Sequence, residues 1–165
     1  MDVKRSHTYE AATDTVLGML GDRDAIVGRY ESMGHRDVQI LECEAQSDSL
    51  RVVCTRVVDV ELPSFAKRVL KPTNTTSQTD EWKRRGDGSW AGTFDVVVKG
   101  APFHISGTMN LAPADGQTVH DITLRVEVKV PIVGGRIADW AAKGDVRRGL
   151  DGEFEFNDRW LREHS

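Results

Sequence analysis

The sequence predicts an α+β protein in which an antiparallel sheet is covered on one face by a long C-terminal helix. Three observations lead to this class. Apolar residues recur at every second position over about a hundred residues after Gly34, a period typical of strands. Asp-Gly pairs at 87–88 and 115–116 mark tight hairpins between consecutive strands. The roughly thirty residues after Pro131 have helical spacing instead.

Length and composition indicate one globular domain over residues 1–165. The chain is 39% hydrophobic and 29% charged, with a formal charge of -4. Its 22 Lys and Arg are outnumbered by 26 Asp and Glu and form no basic stripe, so nucleic acid is not an expected partner. No apolar run approaches the roughly 20 residues of a membrane span, and no secretory signal is visible. We therefore expect no stable membrane insertion and a cytoplasmic location.

The first third of the chain predicts a strand and two short helices. The strand covers residues 3–10, and a helix runs from Thr13 to about Leu20. Asp22 is a helix cap in front of a second short helix, which the glycine at position 34 ends.

Six consecutive antiparallel strands follow. A proline and a single helical turn in "LPSFAKRVL" interrupt them after the second. The predicted strands are "DVQILECEA", "LRVVCTRVVDV", "TNTTSQTDEWKRR", "WAGTFDVVVK", "FHISGTMNL" and "VHDITLRVEVKV".

The last predicted strand has one apolar and one polar face. Even-numbered positions from 120 to 130 are His, Ile, Leu or Val, while the odd ones are Asp, Thr, Arg, Glu and Lys. The segment after Pro131, about 45 Å long as a helix, is the candidate to cover the apolar face. Its apolar residues form two stripes rotated from each other, so we expect a bend or a change of partner near residues 144–149.

The glycine pair in "VPIVGGRIADW" opens this helix. Pro131 ends the pairing of the strand, and Gly134 and Gly135 permit a close backbone approach or unusual dihedral angles. A phosphate-binding loop is not supported, because G-x-G-x-x-G and a following Lys-Ser/Thr are both missing.

The order of elements resembles the helix-grip fold of the START-like superfamily, which includes birch-pollen-allergen-like proteins, lipid-transfer domains and polyketide cyclases. The resemblance covers essentially the whole chain. The phrases "ELPSFAKRVL", "DEWKRRGDGSWAGTF", "GAPFHISGTMNLAPADG" and "VPIVGGRIADW" look like an actinobacterial family of unknown function within it. The resemblance implies a curved, seven-stranded sheet under the long C-terminal helix. It also implies a hydrophobic ligand between the two, with uptake near the short helices and the "KGAP" loop.

Three further glycines, Gly144, Gly149 and Gly152, lie inside the predicted C-terminal helix. Each costs about 0.5–1 kcal/mol relative to alanine, so each requires a reason. Close packing or a helix break is one interpretation. The other, implied by the resemblance, is a void between helix and sheet that holds the ligand.

The candidate ligand-binding residues are those expected on the concave face of the sheet and on the facing side of the helix. The same set is also compatible with a filled core. They are Arg56, Asp80, Trp82, Phe94, Phe103, Met109, His120, Ile122, Leu124, Ile137, Trp140 and Ala141.

The polar residues expected on the concave face discriminate best between a ligand-binding site and a filled core. Counting residues back through the connection between the strands places Arg56 roughly opposite Gln78 or Asp80, which is compatible with an Arg56–Asp80 pair on the inner face. Such a pair would be a structural tie or a head-group anchor, and the alternative is a simply exposed position. His120 is a ligand hydrogen-bond partner, an acid/base, or a satisfied residue at the rim. Glu42 also has inward parity.

No metal, cofactor or disulfide is predicted. Cys43 and Cys54 fall on neighbouring strands with parity that points them to opposite faces. The five histidines are scattered, and none joins another ligand at metal-binding spacing.

These observations favour a carrier or sensor of a hydrophobic small molecule such as a lipid, an isoprenoid or a polyketide. No nucleophile motif is visible and no catalytic residue is predicted, so the enzyme class stays open. The alternatives are a small cyclase, dehydratase or hydrolase that uses His120, and an interaction module with a filled core. Both a monomer and a dimer are compatible with the sequence.

Overall fold

A computed structural model describes residues 1–165 as one antiparallel sheet with helices over its inner face. No helix combines the length and the apolar character needed to cross a membrane. The strands are β1 (Asp2–Tyr9), β2 (Arg36–Ala45), β3 (Ser49–Asp59), β4 (Thr73–Arg84), β5 (Trp90–Val98), β6 (Phe103–Ala114) and β7 (Gln117–Val128). The helices are α1 (Thr13–Leu20), α2 (Arg23–Ser32), α3 (Gly134–Ala141) and α4 (Arg147–Glu163), with a 3-10 turn at Ser64–Ala66 and a π-helical segment at Ala142–Val146.

The strand order is β1-β7-β6-β5-β4-β3-β2, with every neighbouring pair antiparallel. Strands β2 to β7 follow one another along the chain, and β1 pairs with β7. At the predicted Asp-Gly hairpins, Asp115 and Gly116 have φ of 52° and 81°, and Gly88 has φ of 84°. The predicted fold class is therefore confirmed, including the curved sheet and its C-terminal helix.

The two short helices begin and end where the sequence predicts. Asp22 accepts a hydrogen bond from the backbone N–H of Ala25 at 2.9 Å, which satisfies one free donor of α2. Gly34 follows α2 with φ of 84°, a conformation that favours glycine.

The C-terminal helix is continuous from α3 through the π-helical segment to α4. A π turn takes one extra residue, so the stripe of Ile137 and Ala141 continues on the same side through Val146, Leu150 and Phe154. The rotation between the two stripes is thus only apparent. The predicted change of partner is confirmed, because α3 contacts β7 whereas α4 contacts α2 and β1.

Two glycines bring α2 and α4 close together. A methyl group at Gly152 would lie 3.3 Å from the Sδ atom of Met33, and one at Gly28 would lie 3.0 Å from the ring of Phe156. Close packing is therefore the reason for Gly152.

The prediction of which β2 side chains face inward is wrong for the residues after Ile40. The register shifts between Ile40 and Glu42, where a bulge reverses the alternation of side chains. Glu42 is consequently exposed on the outer face, where its carboxylate pairs with Arg51 at 2.9 Å. Cys43 shares the inner face with Cys54, and both thiols are free.

The connection from β7 to α3 explains one glycine of the predicted pair. A methyl group at Gly134 would overlap the carbonyl oxygen of Val128, so the backbone approach requires glycine there. A methyl group at Gly135 would meet nothing within 4 Å. The positive φ in this turn belongs to Ile132, at 71°, whose side chain is fully exposed.

Candidate ligand-binding site

A cavity of about 230 Å³ lies between the inner face of the sheet and the C-terminal helix, and we call it the main cavity. Strands β3 to β7 supply one wall, while α2, α3, the π-helical segment and α4 supply the other. Of its 23 lining residues, 15 are hydrophobic, including Phe94, Phe103 and Trp140. The cavity is therefore suited to an apolar guest.

Gly149 lies on the helical wall of the main cavity. A methyl group at this position would meet no atom within 4 Å. A side chain at position 149 would therefore extend into free space, in contrast to the close packing at Gly152.

A second cavity of about 70 Å³, the inner cavity, adjoins the main one. Its apolar lining includes Trp82 and Phe154, and its polar lining includes Arg29, Asp80 and His120. The residues that line both cavities are Tyr30, Gln78, Phe94, Leu150 and Glu153.

Arg56 is buried in the wall of the main cavity and has a partner for most of its guanidinium. Its Nε donates to Nδ1 of His35 at 3.1 Å, and its Nη2 donates to Oε1 of Gln78 at 2.9 Å. The guanidinium carbon lies 3.9 Å from the centroid of the Tyr30 ring. Burial, followed by the charge of Arg56, lowers the pKa of His35 to about 4, so this ring accepts as a neutral base.

The expected direct pair between Arg56 and Asp80 is replaced by a relay. The register places Arg56 opposite Thr76 and Asp80 opposite Val52, so the predicted register is wrong. Gln78 joins the two charges, because its Nε2 donates to Oδ1 of Asp80 at 2.9 Å.

Two carboxylates face the same region. Burial raises the pKa of Asp80, and the hydrogen bond from Gln78 and the charges of Arg56 and Arg29 oppose that rise. Burial likewise raises the pKa of Glu153, with the two guanidinium charges again opposing it.

His120 lies inside the protein rather than at the rim, with 5% of its surface exposed. Its Nδ1 is 3.2 Å from the hydroxyl of Tyr9, and its ring centroid is 5.8 Å from that of Trp82. Burial, followed by the charge of Arg29, lowers the pKa of His120 to about 3. The ring is therefore neutral at physiological pH, and its Nε2 has no hydrogen-bond partner.

The structure brings nearly all the predicted site residues to the two cavities. Ile137 lines neither, because it is fully buried in the core. Those at the main cavity are Arg56, Phe103, Leu124, Trp140 and Ala141, those at the inner cavity are Asp80, Trp82, Met109, His120 and Ile122, and Phe94 lines both.

Sequence reasoning missed the polar residues that the helices contribute. Arg29 and Tyr30 lie on α2, whose apolar residues show almost no helical periodicity, so its inner face could not be identified. Asn157 gave a usable signal in the sequence, because it continues the apolar stripe of Leu150 and Phe154. In the structure it is 2% exposed. A polar residue on an apolar stripe indicates a buried hydrogen-bonding role.

Residues 4–161 match the family model described as "Protein of unknown function (DUF2505)". The chain belongs to this family. The match confirms the predicted family of unknown function within the superfamily, while its actinobacterial origin stays a prediction. No curated protein sequence matches the chain.

Solved structures similar to this chain share its fold. A protein of Thermus thermophilus has a TM-score of 0.66 at 17% identity, covering 100% of both chains. A STAR-related lipid transfer protein of Xanthomonas axonopodis has a TM-score of 0.61 at 12% identity, covering 98% of this chain and 85% of the other. A START superfamily protein of Mycobacterium smegmatis has a TM-score of 0.54 at 16% identity, covering 97% and 98%. These similarities confirm the predicted START-like helix-grip fold.

Proposed function

We propose that this protein is a cytoplasmic carrier or sensor that binds a hydrophobic small molecule in the main cavity. The observation that carries the proposal is the apolar space of about 230 Å³ between the sheet and the C-terminal helix. The fold supports it, since one similar structure is named as a lipid transfer protein. Fold analogy alone does not establish a function, so the proposal rests on the cavity.

Apolar burial supplies only part of the binding free energy. A guest that buries about 250 Å² of apolar surface gains about 6 kcal/mol at about 25 cal/mol per Å². Association itself costs about 4–15 kcal/mol in lost translational and rotational freedom. Useful affinity therefore requires polar contacts as well, and the polar groups of the inner cavity are the nearest source.

Two observations weigh against the alternative functions. A pKa of about 3 makes His120 a weak base that is almost never protonated at neutral pH, which argues against an enzyme that uses this residue as acid/base. An interaction module with a filled core does not account for the open space next to Gly149.

Uptake of N-phenyl-1-naphthylamine, a neutral dye that fluoresces in apolar sites, tests the proposal. The wild type should bind it, and Gly149→Leu should weaken binding at least tenfold because the new side chain fills the main cavity. Gly18→Leu is the matched control, because Gly18 is exposed on α1 with nothing within 4 Å and lines neither cavity. Both variants replace a helical glycine and should raise helix stability by about 0.5–1 kcal/mol.

Two results would contradict the proposed function. One is a wild-type protein that takes up no dye. The other is equal dye affinity in the Gly149→Leu and Gly18→Leu proteins, which would place the dye outside the main cavity.

A further inference from the structure

A directed chain of hydrogen bonds ends in the inner cavity at His120. Arg29 can only donate, and its Nε donates to Oδ1 of Asn157 at 2.7 Å. The amide of Asn157 is thereby oriented, and its Nδ2 donates to the hydroxyl of Tyr9 at 3.0 Å. The phenol proton is left for Nδ1 of His120, at 3.2 Å.

This direction fixes the tautomer of His120. A neutral ring whose Nδ1 accepts must carry its proton on Nε2. That N–H has no partner, and neither has Nη2 of Arg29, although both residues are only 5% exposed. Buried donors without partners are rare and costly, so two of them at one cavity indicate an acceptor supplied from outside the chain.

A second directed chain ends at the same cavity with the opposite polarity. Nη2 of Arg56 donates to Oε1 of Gln78, so the amide of Gln78 is oriented, and its Nε2 donates to Asp80. The chain therefore ends at a carboxylate with free acceptor capacity, and Glu153 adds another on the facing helix. The inner cavity thus presents both donors and acceptors.

We propose that the inner cavity binds the hydroxyl-bearing end of an otherwise uncharged, apolar molecule, an alcohol or a phenol, whose apolar body occupies the main cavity. A hydroxyl both accepts and donates, so it complements His120 and Arg29 on one side and Asp80 and Glu153 on the other. The inference rests on the proposed function, since it requires the main cavity to hold the body of the ligand.

Charged head groups fit this set less well. The guanidiniums of Arg29 and Arg56 are matched in number by the carboxylates of Asp80 and Glu153, so an ionic guest would bring one unbalanced charge into a buried site. An ammonium would leave the donor of His120 without a partner, and a carboxylate would face two acidic side chains.

Competition between four decyl compounds tests the inference. The probes are 1-decanol, decyl methyl ether, decanoate and decylammonium, each displacing N-phenyl-1-naphthylamine from the wild type. We expect 1-decanol to bind at least tenfold more tightly than the other three. This preference should fall severalfold or more in His120→Phe, which removes the donor. His104→Phe is the matched control, since His104 lies on the outer face beside Asp95 and should keep the preference.

Tyr9→Phe provides a second variant with minimal loss of volume. Without the phenol proton the tautomer of His120 is no longer fixed, so the preference for 1-decanol should again fall. Dye binding to the wild type with equal displacement by all four compounds would overturn the inference and leave the proposed function standing. A decanol preference unchanged in His120→Phe and Tyr9→Phe would also overturn it. No dye binding at all would overturn both.

Discussion

Replacing His120 by phenylalanine should remove a pH-dependent contribution to stability. The pKa of this residue falls from 6.5 to about 3 on folding, chiefly because the ring is buried. Each pKa unit corresponds to 1.36 kcal/mol, so the full effect is on the order of 5 kcal/mol. Below pH 6.5 the imidazole binds a proton in the unfolded chain but not in the folded chain. The contribution of His120 to the free energy of unfolding is therefore lost as the pH falls from 6.5 towards about 3.

Other buried groups with shifted pKa values also make stability depend on pH, and their contributions must be separated from that of His120. His35, with its pKa lowered to about 4, has the same sign as His120. The raised pKa values of Asp80 and Glu153 have the opposite sign, because their contribution is lost as the pH rises. All three groups remain in the His120→Phe protein, so the difference between wild type and variant isolates His120.

Urea unfolding followed by tryptophan fluorescence measures this difference, since the chain has four tryptophans. The free energy of unfolding of the wild type minus that of His120→Phe should rise with pH by about 1.4 kcal/mol per unit between about pH 4 and pH 5.5. Tyr9→Phe keeps the buried imidazole and should keep the slope. A flat difference, or one that rises towards acid, would refute the burial of a neutral His120.

Three further predictions concern the turn before α3 and the loop that faces it. Gly134→Ala should lower the free energy of unfolding by about 1–3 kcal/mol, because its methyl group overlaps a carbonyl oxygen. In the same urea titration Gly135→Ala should not lower it and should raise it by up to about 1 kcal/mol, because Gly135 is helical and its methyl group meets nothing within 4 Å. Ile132→Asn should stabilise the protein by about 1 kcal/mol in thermal unfolding, because asparagine tolerates positive φ and the exposed isoleucine packs on nothing; a lower melting temperature would contradict this. The guanidinium carbon of Arg136 lies 4.0 Å from the ring centroid of Phe65, which ties the β3–β4 connection to α3. Phe65→Leu should therefore speed dye release about two- to fivefold in stopped-flow experiments, as expected for loss of about 0.5–1 kcal/mol, and unchanged rates would show that the loop does not gate the main cavity.

The fold could be predicted because each of its signals is local. The alternation from His120 to Val130 identified the buried face of β7, and the Asp-Gly pairs located the hairpins. Assigning side chains to the two faces by simple alternation failed at β2, because nothing in the sequence indicates the bulge next to Glu42. It failed again across the irregular connection before β4, whose path determines which residue lies opposite Arg56.

The candidate site could be predicted on its sheet side and, on its helical side, only at Trp140 and Ala141 of α3. Parity placed Trp82 and Phe94 on the inner face, and both line the inner cavity. The helical side depends on how α2 and α4 pack, and that packing uses glycines and long-range polar contacts rather than apolar periodicity. The bond between Arg29 and Asn157 joins residues 128 positions apart, and no local pattern contains such a pairing.

The π-helical segment also bears on how this chain can change length during evolution. A residue gained inside an ordinary α-helix rotates everything after it by about 100°, which would turn Glu153 and Asn157 away from the cavities. The π turn confines the extra residue to positions 142–146 and leaves the downstream side chains in place. Loss of one residue there would restore a regular α-helix with the same inner face, whereas the same loss after Phe154 would dismantle the site. Among related sequences, single-residue gaps should therefore be tolerated at the first position and absent from the second.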